Sequence, residues 1–494
     1  MALPDNGTAW PPPQWAPIYA EMRVDDAWYS GDRGRLARVY HNAPSHHERR
    51  TLWGRRRQQH PHRREHRLHV PLPGDIASTS ADLLFADMPT LTVGNTATQD
   101  RLSVLLDDGR VQQVLLGAAE QAAALSGVFL RVTWDRDLTD RPLLTVMQPD
   151  GAIPEFRFGM LRAVTFWREL DGSTGQSVFR HLERHEAGSI RHGLYEGGPD
   201  SLGRLVPLTA HPDTNSLIAS LDADGDGQTI STGIRDLTAA YVPNMLPNRL
   251  HRGSPVGRSD YAGGVHDLFD ALDETWTSWM RDIRLARARL IVPDAYLRSN
   301  GRGEGASFDD DREVFQQLNI PPTEQGSGIT LSQFAIRVEE HRATAEAIVR
   351  QAAQSAGYSP QSLGLDGIGQ AVTATEIDSR DQRSMVTRKK KVGYWRHPLA
   401  DMLHVMLQLD ASIFKTRGIV PERPRVEFGD GVAESEQATA TTLDLLNRAG
   451  AVSTGTKVKI LHPDWDDAAV KAEAAAILAE TGAAAPDPVG NFPM

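Results

Sequence analysis

Residues 258 to 410 hold three long amphipathic patterns, separated by one polar insert and one glycine-rich segment, and this layout constrains the fold more than any other feature. The first pattern, Ser259 to Val292, spaces Val265, Leu268, Leu272, Trp276, Trp279, Ile283, Ala286 and Leu290 three or four residues apart, so they share one face of a helix that Pro293 stops. The second, Thr330 to Ala356, repeats the spacing with Leu331, Phe334, Val338, Ala345, Ile348 and Ala352 and ends at Gly357, a residue favoured after a helix C-terminus. The third, Thr375 to Leu409, carries Met385, Val392, Trp395, Leu399, Met402, Met406 and Leu409, a stripe that needs a long partner surface. Pro398 lies inside it, removes a backbone donor and clashes with the Tyr394 carbonyl, which predicts a kink.

The segment from Gly357 to Glu376 has many glycines and few large apolar residues, so it reads as a surface loop. Its Gly364 to Gly369 stretch only faintly resembles a phosphate-binding fingerprint, and no strand precedes it.

At 494 residues the chain has room for two to four domains, and 40% apolar residues suit a folded core. It contains no cysteine, which excludes disulfides, thiolate catalysis and Cys-ligated metal. No stretch is long and apolar enough to span a bilayer, and the first residues lack a signal-peptide pattern, so a soluble, non-secreted product is expected. A net charge of -11 argues against a surface that grips nucleic acid everywhere, because phosphate binding rests on Lys and Arg. Residues 46 to 69 are nonetheless crowded with Arg and His; a solvated or inter-subunit face is the favoured reading, and contact with nucleic acid stays open.

The proline-rich lead and a short helical pattern from Trp15 to Tyr29 read as an arm that docks on something, with a partner chain a plausible host. A short strand and a helix are expected from Val70 to Val93, and one helical stretch from Ala97 to Ala124. From Val128 to Glu196 the period changes to two between turn signals such as Asp171-Gly172, which predicts an antiparallel meander in an α+β unit ending near Pro255. Residues 424 to 430 form one more strand, a small helical domain follows, and the last dozen residues are expected to be disordered.

Three constellations invite an enzymatic reading. Asp222, Asp224, Asp226 and Gly227 start like an EF-hand loop, but Gly233 stands where a bidentate Glu is required, so a polar turn is the better reading and weak cation binding stays open. His181 and His185 would suit zinc on a helix; on the expected strand they lie roughly 13 Å apart, too far for one metal. The histidines between His41 and His69 lack ligand spacing. No nucleophile elbow, Walker lysine or acid-base pair is found, so neither catalysis, metal nor cofactor is expected.

The chain resembles portal proteins of long-tailed double-stranded DNA bacteriophages, of the actinobacteriophage type. The resemblance covers nearly the whole chain and rests on the order of several strings: Leu68 to Asp87, Pro154 to Leu170, Arg180 to Gly197, Gly257 to Pro293 and Leu445 to Trp465. It implies a homo-oligomeric ring, usually of twelve, at one capsid vertex of the virion, assembled in the host cytoplasm. Double-stranded DNA would pass through it, and the major capsid protein, a head-tail adaptor and the terminase motor would be its partners. The implied fold is a multi-domain α+β portal fold. Residues 1–257 would be arm and wing, 258–292 and 330–357 the two stem helices, 293–329 the clip, and 358–375 a tunnel loop. Residues 376–430 would be a long kinked helix with a wing strand, 431–480 a helical crown and 481–494 a disordered tail.

Twelve helices side by side at about 10 Å make a ring about 38 Å across between axes, leaving roughly 28 Å of bore, which admits a duplex. Such a ring closes by head-to-tail contacts, so apolar stripes are shared between own-chain and neighbour-chain packing. An acidic wall would let DNA slide; the candidates are Asp267, Asp270, Asp273 and Glu274, with the basic residues Arg388 to Lys391 on a solvated face elsewhere. The candidate tunnel-loop residues are Gly364, Asp366, Gly367, Gly369, Gln370 and Thr373, and the candidate connector contacts are Glu304, Asp309, Asp310, Asp311 and Glu313. The competing classes are a nucleic-acid-processing subunit of the packaging apparatus, which needs a phosphate loop or metal cluster, and a capsid or adaptor protein without a channel.

Overall fold

The computed structural model describes the chain apart from residues 1–2, 42–66, 107–109, 137, 174–176, 223–225, 287–288, 292–297, 300–305, 308–329, 333–335, 365–373, 430–442, 463–464, 466 and 481–494. The chain divides into two compact units: Met1–Gly369 with Arg380–Glu427, and Gln370–Ser379 with Phe428–Met494.

The first unit opens with helices α1 (Ala16–Ser30) and α2 (Arg33–His41), followed by α3 (Leu72–Phe85), strand β1 (Thr90–Thr92), α4 (Thr96–Leu106) and α5 (Arg110–Leu125). The predicted order of strand then helix after Val70 is reversed, because Pro71 and Pro73 preset the first turn of α3. The stretch expected as one helix from Ala97 to Ala124 is two, α4 and α5. The N-terminal segment finds its host in its own chain. Ile18, Tyr19 and Met22 of α1 enter a core with Phe129, Phe166 and Tyr241, and Trp10 packs with Leu182 and Tyr195. The hydroxyl of Tyr19 donates to the Ala152 carbonyl at 2.7 Å.

The period-two region folds into two antiparallel sheets. β2 (Gly127–Thr133) is central in a three-stranded sheet between β3 (Leu143–Met147) and β10 (Ala239–Pro243). The larger sheet runs β4 (Ala152–Arg157), β5 (Met160–Glu169), β6 (Val178–Glu186), β7 (Ser189–Gly197) and β8 (Arg204–Val206), with β9 (Thr229–Ser231) also on β7. The meander reading holds for β4 to β8. The β4–β5 hairpin turns through Phe158 and Gly159, both at positive φ (54° and 79°), the geometry of a type I′ two-residue loop. Phe129 and Phe166 meet edge to face at 5.6 Å, joining the two sheets. The short helix α6 (Pro212–Asn215) lies between β8 and β9.

The first long pattern forms α7 (Val265–Leu285), shorter than 258–292, and the second forms α8 (Val338–Ala356), shorter than 330–357. Their facing ends become strands instead: β11 (Arg289–Ile291) pairs antiparallel with β14 (Thr330–Ser332), and β12 (Arg298–Ser299) with β13 (Ala306–Ser307). Residues 289 to 291 and 330 to 332 pair as a two-stranded ladder, so Leu290 and Leu331 leave the helical stripes. The third pattern is α9 (Ala374–Ser412), and helical structure continues unbroken through Pro398. Trp395, Leu399, Met402, Leu403 and Met406 are all buried as the stripe requires, and Phe85 meets Trp395 at 4.9 Å. Near the end of α9 the buried Asp410 accepts two bonds from Arg101 of α4, each 2.8 Å, a bidentate pair that holds the guanidinium charged. β15 (Arg425–Glu427) then pairs with β1, which confirms the late strand and shows its partner.

The second unit carries a helix α10 at 443–448, α11 (Thr454–Leu461) and α12 (Asp467–Glu480). Its core is Val458, Val470 and Ala474 with Ile477 packed against them. Ser453 caps α11 by accepting from the Thr456 N–H.

Candidate functional site

The side chains before α7, after α8 and along the first half of α9 converge on one buried carboxylate. Asp260 Oδ2 accepts from Lys391 Nζ and from the Tyr358 hydroxyl, both at 2.7 Å, while Oδ1 accepts from Asn244 Nδ2 at 2.8 Å. Lys391 Nζ also donates to Ser80 Oγ of α3 at 2.7 Å and lies 5.6 Å from the Tyr358 ring centre. Asp260 and Lys391 are each 2% exposed. A charge taken out of water survives only with a partner, and here each charge has at least two hydrogen bonds. Burial pulls the Lys391 ammonium below its usual range, with Asp260 opposing, and burial first, then Asp260, pushes the Tyr358 hydroxyl well above its own.

The rest of this face of α9 is polar at helical spacing. Ser384 Oγ accepts from the Ser359 N–H at 2.8 Å, Thr387 Oγ1 donates to the Gly357 carbonyl at 2.6 Å, and Arg388 Nε donates to the Leu83 carbonyl at 2.6 Å. The reading of Arg388 to Lys391 as a solvated face is therefore corrected. Lys389 and Lys390 are exposed, but Arg388 and Lys391 point inward and join α9 to α3 and to the start of α7. The signal was available: stepping back from Trp395 by four, four and three gives Lys391, Thr387 and Ser384, so the inward stripe continues with polar residues.

Along α7 the four candidate acids have different fates. Asp267 and Glu274, one heptad apart, are exposed. Asp270 pairs with Arg67, and burial raises its carboxyl while Arg67 opposes. Asp273 is 1% exposed and accepts from His69 Nδ1 at 3.0 Å and from the Val70 N–H at 2.8 Å. Thr277 Oγ1 accepts from the Leu68 N–H at 3.0 Å, so residues 67 to 70 lie as a strap along this face. Asp273 thus leaves the set of solvent-facing acids, since its carboxylate is committed to the strap.

Further along, Asp282 accepts from His341 Nε2 at 2.9 Å and Arg337 at 3.0 Å, and the Trp279 and His341 rings stack at 6.0 Å, holding α7 against α8. Trp276, Ile283, Ile336 and Val338 stay exposed on or beside this helix pair.

Gly364 is exposed, at φ +75°, and ends a short 3-10 helix (Pro360–Leu363). Asp366, Gly367, Gly369, Gln370 and Thr373, and the polar insert residues Glu304, Asp309, Asp310, Asp311 and Glu313, lie outside the described residues. Asp222 and Asp226 hold their own loop: Asp222 accepts from the Ser231 N–H and hydroxyl, Asp226 from the Gln228 N–H and the Thr229 hydroxyl. His181 and His185 sit on one strand, β6, as expected, but their partners differ. His181 bonds to His192 at 3.1 Å, and His185 to Glu183 at 2.8 Å and Thr238 at 2.6 Å. Among the described residues no group of three or more His, Asp or Glu side chains is arranged to hold a metal. Among the described residues the buried charges of Asp260, Lys391, Asp273 and Asp410 each have a hydrogen-bonded partner that joins separate elements of the fold.

Residues 263–487 match the model of the family described as "Phage portal protein, SPP1 Gp6-like", a stretch that takes in α7 to α12. No curated protein matches the chain. Among solved structures, the chain is similar to one described as "Neck of native GTA particle computed with C12 symmetry", at 12% identity and a TM-score of 0.40, over 80% of this chain and 90% of that one. It is also similar to "Neck of empty GTA particle computed with C6 symmetry", at 14% identity and a TM-score of 0.40, over 84% of this chain and 95% of that one.

Proposed function

We propose that this chain, a phage portal protein over residues 263–487, is one subunit of a ring-shaped channel at a capsid vertex through which double-stranded DNA is packaged and ejected. The observation that carries the reading is the portal-family match over the stretch that contains α7, α8 and α9. The helix pair supports it: α7 and α8 pack on each other yet leave Trp276, Ile283, Ile336 and Val338 in water, apolar area that neighbouring subunits would cover.

On this reading α7 and α8 are the stem, the two sheets are the wing, 293–329 is the clip and 358–375 the tunnel loop. Residues 431–480 form the crown. The lumen acids reduce to Asp267 and Glu274, with Asp270 paired to Arg67. The clip carboxylates Glu304 to Glu313 meet the head-tail adaptor, while the terminase motor docks during packaging and the capsid protein surrounds the wing.

Negative-stain imaging of the purified protein tests the reading: rings with a central hole are expected, and solid particles or separate monomers would count against it. Replacing Gly364, Gly367 and Gly369 together tests the loop, for normal packaging in that variant would remove it from the mechanism. An assembled structure with Asp267 and Glu274 facing outward would sink the acidic-lumen proposal.

A further inference from the structure

The three most exposed large apolar side chains among the described residues are Phe158 at 92%, Met160 at 76% and Leu138 at 74%. Two of them form a knob. Phe158 and Gly159 are the two-residue loop of the β4–β5 hairpin, Met160 opens β5, and the Arg157 guanidinium lies over the Phe158 ring at 5.3 Å. Phe158 holds φ 54°, a left-handed conformation that a bulky residue adopts at a cost and that Asn or Gly would adopt freely. The chain thus presents an aromatic ring almost wholly to water in a strained position.

The third exposed residue rims a hole. Leu138 stands at the mouth of a cavity of about 470 Å³ between the two sheets, floored by Leu143, Met147, Phe166 and Ile230. That volume is within the roughly 300–1,000 Å³ typical of sites that enclose a sizeable group. Its charged lining holds Asp135, Glu183 and Asp213 against Arg131 and Arg168, with Arg131 paired to Glu183 at 2.6 Å, so carboxylates exceed guanidinium groups by one. The knob carries the complementary sign, with Arg157 and Arg162 exposed on either side of the tip.

Knob and hole lie near opposite ends of one strand. Met160 begins β5, while Phe166, Trp167 and Arg168 line the cavity, which sets the two roughly 20 to 26 Å apart along the strand. At that separation one subunit cannot fill its own hole. A pair of unlike, complementary patches displaced along one strand makes heterologous contacts, the kind that propagate from subunit to subunit and close into a ring when the rotation permits.

We infer that the Arg157–Met160 hairpin tip of one copy of this chain inserts into the cavity rimmed by Leu138 in the next copy. The inference rests on the ring reading above and specifies one contact within it. Phe158 and Met160 would lie against Phe166, Met147 and Leu143, with Arg157 and Arg162 against Asp135 and Asp213. A single contact then covers all three exposed apolar residues at once.

Because the chain has no cysteine, the contact can be tested without background. In the double variant Arg157→Cys with Leu138→Cys, which keeps Phe158 and Met160, a short bis-maleimide should join assembled subunits into a ladder reaching the full ring on a denaturing gel. Either single variant should give no ladder. Rings in negative stain that yield no ladder overturn this contact and leave the channel reading standing; the absence of rings overturns both. A second variant, Phe158→Ser with Met160→Ser, should melt at the wild-type temperature because both side chains are exposed, yet form at least about tenfold fewer rings at equal concentration. An unchanged ring yield would overturn the contact.

Discussion

Replacing Lys391 by methionine keeps the side chain's length but leaves the Asp260 carboxylate buried without its cation. Removing one member of such a pair costs about 3–5 kcal/mol, so K391M should lower the denaturant midpoint sharply, and D260N in the same chain should restore much of it. A midpoint unchanged in K391M would show that Tyr358 and Asn244 alone satisfy Asp260. Two other buried groups set opposite pH dependences. Burial, reinforced by the nearby His192, lowers His181 from 6.5 to about 4. Between those values the unfolded chain binds the proton and the folded one does not, so stability falls as pH drops through this window. Burial raises Asp25 from 3.8 to about 6, with His266 opposing. There the folded state binds the extra proton, so Asp25 contributes stability as pH drops and partly offsets His181. Thermal melting from pH 7 to 4 should therefore show less acid sensitivity in H181N and more in D25N than in the unaltered protein. Identical profiles in all three would refute the assignment.

Among the elements, the joint between α8 and α9 is narrow. Gly357 follows α8 at φ +102°, and a Cβ there would meet Thr387 Oγ1 at 3.0 Å, the same hydroxyl that donates to the Gly357 carbonyl. G357A should cost about 1–2 kcal/mol from the backbone alone, read as a lower melting temperature, while G364A, with open space around it, should cost no more. The elements themselves were legible wherever burial follows a period. The stripe Val392, Trp395, Leu399, Met402 of α9 and the alternation of β5 to β7 are where apolar spacing puts them. Boundaries were less so. Leu290 and Leu331 fit a helical stripe as well as a strand, and only the pairing of β11 with β14, a contact between distant residues, decides between them. The third helix kept its length through Pro398 because the packing of Trp395, Leu399 and Met402 on either side holds it.

For the whole molecule, the proposed ring makes the exposed residues of α7 and α8 a place where folding and assembly can be separated. Trp276 and Ile283 are 36% and 41% exposed, so W276E with I283E should leave the subunit folded by circular dichroism yet monomeric by light scattering. Rings in that variant would show the helix pair to be free of neighbours. The site was only half visible in the sequence. The acids of α7 could be named but not sorted, since Asp267 and Asp273 have the same chemistry, and only the strap at 67–70, some two hundred positions earlier, takes Asp273 out of solvent. Lys391 was misplaced for a related reason: a charge on a helix defaults to water until its partner, Asp260, is brought beside it by the tertiary fold.

The three-rung ladder between β1 and β15 has a mechanical side. Thr90 pairs with Glu427 and Thr92 with Arg425, so the chain enters β1 and leaves β15 at the same end of the ladder. Tension between the chain before Thr90 and the chain after Glu427 would therefore peel the rungs one at a time, Thr90–Glu427 first, instead of shearing all three together. Such a zipper yields at low force, which makes it a fuse: under load it would open before the bidentate Arg101–Asp410 pair or the buried Lys391–Asp260 pair feels the strain.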